Sequence, residues 1–204
     1  MALPWALAVL SLLPLLSAQS PECANFTARP VTNATLDWLS GKWFYVSSIL
    51  RKPEFSQSAR MILSAFFYFA PNLTEDKIYI REYQTIGDRC VYNYSHLSVH
   101  RKNGTLSKTG EGQREDRRLS SPENGTEFFA YLLLSKNARS FMLYFFPEDK
   151  QNFGLSIYGR YPSSSYTTWA EKPQLSQEQM SEFHEVMACM GMHESEILRT
   201  DWEK

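Results

Sequence analysis

In the run Lys77-Ile78-Tyr79-Ile80-Arg81-Glu82-Tyr83-Gln84-Thr85, the residues Ile78, Ile80, Glu82 and Gln84 stand two apart. Alternate residues of a strand share a face, so whichever side receives the isoleucines also receives Glu82 and Gln84. A carboxylate among apolar neighbours lacks the water its charge needs, and a ligand ammonium restores the missing pairing. The chemistry this suggests is recognition of a lipophilic cation.

Residues for turnover are scattered by comparison. The four histidines are His96, His100, His184 and His193. His96 and His100 share a strand face, but four residues of strand span roughly 13 Å, too far for one metal without other ligands. The chain has no nucleophile elbow or phosphate loop, and Gly110-Glu111-Gly112 reads as loop glycine. Cys23, Cys90 and Cys189 form an odd set, so an oxidising compartment allows one pair and leaves one thiol. An unpaired Cys90 keeps an isomerase-type enzyme as an alternative. Cys90 follows the turn Gly87-Asp88-Arg89 with no base beside it, however, which argues against an activated thiolate. The expectation is a binding protein without catalytic residues, cofactor or metal.

The elements that position Glu82 are strands. Eight runs with turn signals between them cover Lys42–Ser48, Arg60–Phe69, Lys77–Thr85, Cys90–His100, Thr105–Thr109, Glu127–Leu134, Ser140–Phe146 and Phe153–Tyr158. Breaks at Pro71-Asn72 and Gly87-Asp88, and the two-residue hairpin signal Asn103-Gly104, favour an antiparallel sheet without intervening helices. Several strands are apolar on both faces, as in Met61-Ile62-Leu63-Ser64-Ala65-Phe66-Phe67-Tyr68-Phe69. One helix is predicted near the C-terminus, where the capping box Ser176–Gln179 precedes Met180, Phe183, Val186, Met187 and Met190 at helical spacing, with Gly191 as its stop. Laid on the outside of the sheet, that helix accounts for strands apolar on both sides. The fold class is therefore all-β, an eight-stranded antiparallel up-and-down barrel with one C-terminal α-helix outside and a strand-like tail at Glu196–Arg199.

The first 18 residues form an apolar run ending in Ser17 and Ala18, read as a secretory signal peptide. Residues 19–204 then make one domain, with loop-like insertions near 110–124 and 161–172. The 21 basic and 22 acidic residues nearly cancel, and no basic cluster interleaves with aromatics, which excludes a nucleic-acid reader. No later run is long enough to span a membrane. Sequons at Asn25, Asn33, Asn72, Asn93, Asn103 and Asn124 mark N-glycosylation sites, expected on the surface.

Gly41-Lys42-Trp43 on the first strand and Tyr158-Gly159-Arg160 at the end of the last together resemble the lipocalin signature. That resemblance implies that Trp43 plugs the closed end of the barrel and that Arg160 packs across its ring. Further stretches, among them Pro21-Glu22-Cys23-Ala24-Asn25, Phe66-Phe67-Tyr68-Phe69 and Thr200-Asp201-Trp202, resemble a heavily glycosylated plasma branch of the family. They imply a monomeric carrier of lipophilic molecules, such as basic drugs and steroids, with an acute-phase role in modulating immune activity. They also imply pairing of Cys23 with Cys189, with Cys90 left over because the chain stops at Lys204, before the cysteine that would join it. Two further departures from the pattern are Pro147-Glu148-Asp149-Lys150 in place of a Thr-Asp-Tyr turn, and the two polar insertions.

Alternation within such a barrel turns Trp43 and Tyr45 inward on the first strand and Leu63, Ala65, Phe67 and Phe69 inward on the second. Ser156 and Tyr158 join from the last strand, and Lys108 stands near the open mouth. The expected ligand site is thus Tyr45, Phe67, Phe69, Ile80, Glu82, Gln84, Lys108, Ser156 and Tyr158. The same aromatics would also suit a solid core, and a surface protein acting through lectin or cell-surface partners of its glycans is a further alternative.

Overall fold

The computed structural model describes residues 23–108, 128–137, 139–146, 152–160, 175–200 and 202. The expected leader, both insertions, the turn at 147–150, Asn124 and the chain end at Lys204 lie outside the described residues.

All eight expected runs form strands: β1 (Gly41–Leu50), β2 (Ile62–Asn72), β3 (Lys77–Ile86), β4 (Arg89–His100), β5 (Thr105–Lys108), β6 (Phe128–Leu134), β7 (Ser140–Phe145) and β8 (Gly154–Gly159). Each pairs antiparallel with the next, and β1 pairs with both β8 and β2, which closes the barrel. The tail supplies a short ninth strand, β9 (Leu198–Arg199), on Ser47 and Ser48 of β1. Closure removes the free edges that an open sheet would present.

The β1–β2 seam is short, running from Gly41↔Phe69 to Phe44↔Phe66. Beyond Phe44 that edge of β1 pairs with β9 instead. The chain between the two strands forms a helix, α2 (Pro53–Arg60), after α1 (Asn33–Leu39) on the entry to β1. Neither helix is anticipated above, and Arg60, expected to open the second strand, ends α2. Local signals for both are present. Thr32 and Thr35 make a capping box at α1, while α2 has Pro53 at its first turn, Glu54 beside it and Arg60 in its last turn. Each is about two turns long, too short for apolar periodicity to stand out.

The sheet carries apolar residues on both faces because it is covered on both. Inside lie Trp43, Ala65, Phe69, Ile78, Val99, Leu106, Leu132 and Phe141, closed from below by Leu36 and Leu39 of α1. Outside, Ile49, Leu133, Met142, Leu155 and Ile157 meet Phe183, Val186 and Met187 of α3 (Gln177–Cys189). Phe183 and Val186 are fully buried, worth about 1.5–3 kcal/mol each by area transfer. The Ser176–Gln179 capping box forms as expected. The middle of α3 is fixed by Glu182, which accepts from the Ser135 hydroxyl and from the Lys136 backbone N–H at 3.0 Å.

The β4–β5 turn spans four residues, Arg101–Gly104, in place of a two-residue hairpin. Gly104 adopts φ +66°, and a Cβ there would sit 2.3 Å from the Arg29 carbonyl oxygen, so the strand-entry segment passing over the turn selects glycine. Across the same end, the Arg101 guanidinium pairs with Asp76 at 2.6 Å and donates to the Asn33 side chain at 2.8 Å.

Cys23 and Cys189 are disulfide-bonded, 166 residues apart in sequence. This ties the N-terminal turn Cys23–Phe26 to the end of α3. Replacing both cysteines by serine is expected to lower unfolding stability by up to about 5 kcal/mol on the chain-entropy account. Guanidinium unfolding followed by far-UV dichroism would measure the loss, and an unchanged midpoint would contradict it.

Candidate functional site

The two ends of the barrel interior differ. At the closed end, Trp43 has no exposed surface and donates its indole N–H to the Leu39 carbonyl at 2.7 Å. Phe141 meets its ring edge-on at 4.7 Å between centroids, and the Arg160 guanidinium lies 3.9 Å from the centre of the same ring. Arg160 also donates to the Ser40 carbonyl. Gly41 opens the strand at φ +105°, a conformation that selects glycine, while a Cβ there would meet the guanidinium only at an ordinary contact distance of 3.5 Å. Phe141 stacks on Tyr158 at 4.8 Å, and Phe69 and Phe67 pack against this pair. The result is an aromatic floor.

Toward the open end of β3, inward residues become only half-buried and polar. Register pairs Glu82 with Asn93 and Gln84 with Val91, on the same face as Ile78↔Leu97 and Ile80↔Ser95. Glu82 accepts from the Gln84 amide and, at 3.5 Å, from Asn93. Burial raises the Glu82 carboxyl above the usual carboxylate range, against the opposing charge of Lys108 and these two hydrogen bonds. Lys108 therefore acts on Glu82 from two strands away on the same wall, at the last residue of β5.

A second polar group sits deeper, on the β1–β8 wall. The Tyr45 and Ser48 hydroxyls bond to each other, and Ser48 pairs in register with buried Ser156. Burial pushes the Tyr158 phenol far above its ordinary range, and that of Tyr45 upward as well, so both are neutral hydrogen-bonding groups. Among the described residues the interior thus offers one ionisable carboxyl, one lysine and a set of hydroxyls above an aromatic floor.

Residues 40–204 match the sequence model of the lipocalin / cytosolic fatty-acid binding protein family. The alpha-1-acid glycoprotein of Bos taurus is 51% identical over 205 residues, spanning 100% of this chain and 90% of the relative. Its counterpart in Oryctolagus cuniculus is 46% identical at the same coverage. The chain belongs to the lipocalin family. Among solved structures, lipocalin 12 from rat epididymis superposes with a TM-score of 0.60 at 14% identity, over 91% of this chain and 95% of that one. The siderocalin Ex-FABP, described as having dual ligand specificities, gives 0.55 at 10% identity, over 79% and 89%.

Membership of this kind makes the chain a ligand-binding transport protein of the lipocalin type, and the residues foreseen for the site can be located accordingly. Tyr45, Phe67, Phe69, Ile80 and Tyr158 belong to the inner cluster, with Ser156 buried beside them. Glu82, Gln84 and Lys108 stand on the open half. Leu63 does not join the interior. The β2–β3 register shifts between Ile62 and Ser64, so Ile62 packs on the inner cluster in its place. A similar irregularity between Tyr45 and Ser47 turns Ser48 inward, which strict alternation would place outside.

Cys90 is free and exposed, as the expected Cys23–Cys189 pairing leaves it, and it pairs in register with Thr85 on the outer face of β3 and β4, so its thiol does not enter the barrel. One expectation about the sequons changes. Of the sequons expected on the surface, Asn33 and Asn103 are exposed near the closed end. Asn72 caps the β2–β3 turn there, accepting from Thr74 and Glu75. Asn25 lies in the N-terminal turn. Asn93 is inside the mouth instead.

Removing the Trp43 cover tests the closed end. Arg160→Ala is expected to cost about 1–2 kcal/mol, the sum of a desolvated cation–π contact and one hydrogen bond, with Arg160→Lys recovering part of it. Urea unfolding of both variants measures this, and equal midpoints for Arg160→Ala and the native chain would contradict it.

Proposed function

We propose that this lipocalin is a secreted glycoprotein that carries lipophilic small molecules, preferentially basic ones, in the open half of its barrel. The observation that carries the reading is Glu82, an ionisable carboxyl turned inward above an aromatic floor, its pKa raised by burial. An amine entering from the mouth would place its apolar body on Phe67 and Tyr158 and its ammonium on Glu82, relieving the desolvated charge. Gln84 would orient the carboxylate, Lys108 would stand at the mouth, and the hydroxyls of Tyr45 and Ser156 would serve polar atoms at the far end of the ligand. Tyr45, Phe67, Phe69, Ile80, Glu82, Gln84, Lys108, Ser156 and Tyr158 form the proposed site.

Secretion is supported by the long-range disulfide, which needs an oxidising compartment, and by the full-length relatives named as glycoproteins. Resemblance to plasma lipocalins extends the reading to acute-phase modulation of immune activity. Among the described residues no helix is long and apolar enough to cross a membrane.

Glu82→Gln is expected to weaken dodecylamine about tenfold or more while changing dodecanol, a neutral alcohol of equal length, less than threefold. Displacement of the fluorophore N-phenylnaphthylamine measures both, and equal losses for the two ligands would sink the proposal. The pH dependence has a definite sign. Glu82 is ionised only above its raised pKa, so dodecylamine affinity should fall on acidification, beginning above the ordinary carboxylate range, while dodecanol stays level. Stability runs the other way: a raised folded-state pKa contributes stability that is present below the unfolded value and lost as pH rises through the folded one. Glu82→Gln should therefore match or exceed the native melting temperature at neutral pH.

A further inference from the structure

Trp43 and Glu82 point into the barrel, so Lys42 and Arg81, the residues just before them, lie on its outer face. Register sets Lys42 of β1 opposite Tyr68 of β2, and Tyr68 opposite Arg81 of β3. The two cations therefore flank one ring in a single cross-strand row, roughly 10 Å apart at the backbone because neighbouring strands lie about 4.8 Å apart. The adjacent row sets Phe44 opposite Phe66, and Phe66 opposite Tyr83.

Both cations rest on rings. The Lys42 Nζ lies 4.2 Å from the centre of Phe66 and 4.7 Å from that of Phe44, and the Arg81 guanidinium lies 5.1 Å from that of Tyr68. Among the described residues neither joins an ion pair or a side-chain hydrogen bond, whereas Arg51, Lys77 and Arg101 each hold a carboxylate. Burial holds the Lys42 ammonium below its ordinary range, since hydration is lost and no carboxylate replaces it. Phe66 stacks on Tyr83 at 4.8 Å, and Tyr68 meets both edge-on at 6.0 and 6.1 Å. Rings stacked face to face along a sheet turn their edges outward, and the edge is the positive part of the quadrupole. Cations, ring edges and the Tyr68 and Tyr83 hydroxyls thus favour negative charge on one patch.

We propose that this patch is a second ligand site, for compact aromatic anions such as aryl sulfonates and aryl carboxylates, with the acid group between Lys42 and Arg81 and the aryl ring laid over Phe66 and Tyr83. It goes beyond the carrier reading and does not depend on it, because the barrel wall separates the patch from the interior. The acid group supplies the charge partner that both cations lack, and the ligand ring meets the exposed edges in the T-shaped contact that aromatic pairs prefer. The surroundings select a small ligand. Glu75 at the β2–β3 turn and Asp88 at the β3–β4 turn stand at the two ends of the face and repel a polyanion long enough to reach them. At an anionic bilayer two basic residues contribute about 1 kcal/mol each, too little to hold a protein there.

Equilibrium dialysis of the full secreted chain against naphthalene-2-sulfonate tests this, with dodecanol present to fill the interior. Expected is binding that dodecanol leaves unchanged and that weakens as salt is raised. It should fall about tenfold or more in Lys42→Gln and in Arg81→Gln, with Arg81→Lys recovering part of the loss. Inorganic sulfate, which lacks the ring, should compete only weakly. Dodecylamine affinity should stay within about threefold of native in these variants, which reports an intact fold and interior. Arg81 is exposed, so its variants decide the matter even where Lys42→Gln misfolds. Equal affinity in the native chain and Arg81→Gln, or loss of binding in dodecanol, would overturn the proposal. Displacement of the probe by dextran sulfate at a lower concentration of sulfate groups would also overturn it, giving the face to an extended polyanion. Failure of dodecanol and dodecylamine to bind at all would instead count against the carrier reading, and the charge variants would still decide the outer site.

Discussion

The double pairing of β1 is the constraint on which the rest of the molecule depends. Its two edges hold β8 along nearly the whole strand and β2 over four residue pairs, and only that short second seam turns a sheet into a barrel. The seam lies at the end where Trp43 enters the core. Joining the strands and plugging the floor are therefore one structural event, since the residues that pair Phe67 with Trp43 also stack the aromatic floor beneath the interior. Along β3, away from the floor, the burial of inward residues falls from buried Ile78 and Ile80 to half-buried Glu82 and Gln84, and their character turns polar. The position of Glu82 follows from this gradient: two residues nearer the floor it would be sealed among Ile78 and Ile80, and two nearer the rim it would lie at Gln84, closer to open water.

The outer helix makes the same wall do two jobs. Ile157 and Leu155 face α3 while Tyr158 and Ser156 face the interior, so β8 has no solvent-facing side. A sheet packed on both faces resists deformation because each displacement must move two close-packed layers. Among the described residues no such helix covers β3 and β4, and their outer face presents Tyr79, Tyr83, Tyr92 and Tyr94 in stacked and tilted contacts. The polar half of the candidate site is built on this thinner wall.

The sequence carried the strands, the outer helix and the closed-end plug with little ambiguity, because each rests on a pattern extended over many residues. Eight alternating runs, a capping box ahead of a helical stripe, and a glycine two before a tryptophan are signals that survive local irregularity. Glu82 and Gln84 were legible for the same reason, since β3 keeps its alternation from Lys77 to Ile86. What escaped was local. One-residue shifts of register put Ile62 where Leu63 was expected and brought Ser48 inward, and a strict period of two carries no trace of either. The short helices α1 and α2 fell below the length at which periodicity separates from noise, although Thr32, Thr35 and Pro53 marked their starts. Asn93 was misread because a sequon motif says nothing about which face of a strand bears it, whereas exposed Tyr92 and Tyr94 settle it in the structure.

The disulfide has a consequence for biosynthesis. Cys23 is among the earliest described residues to be made and Cys189 among the last, so the native partner does not exist until nearly all of the barrel has been synthesised. During that interval Cys90 is the only other thiol in the chain and the nearer one in sequence. Premature joining of Cys23 to Cys90 would tether the N-terminal turn to the rim of the mouth, while the native bond ties it to the end of α3. Exchange through a thiolate must then undo that bond before α3 can settle on its wall. The completed barrel ends this choice by spatial separation, leaving Cys90 outside at the β3–β4 turn, far along the strand from the plugged end. The order in which the three cysteines emerge thus gives disulfide isomerisation, and not formation alone, a route to the native Cys23–Cys189 pair.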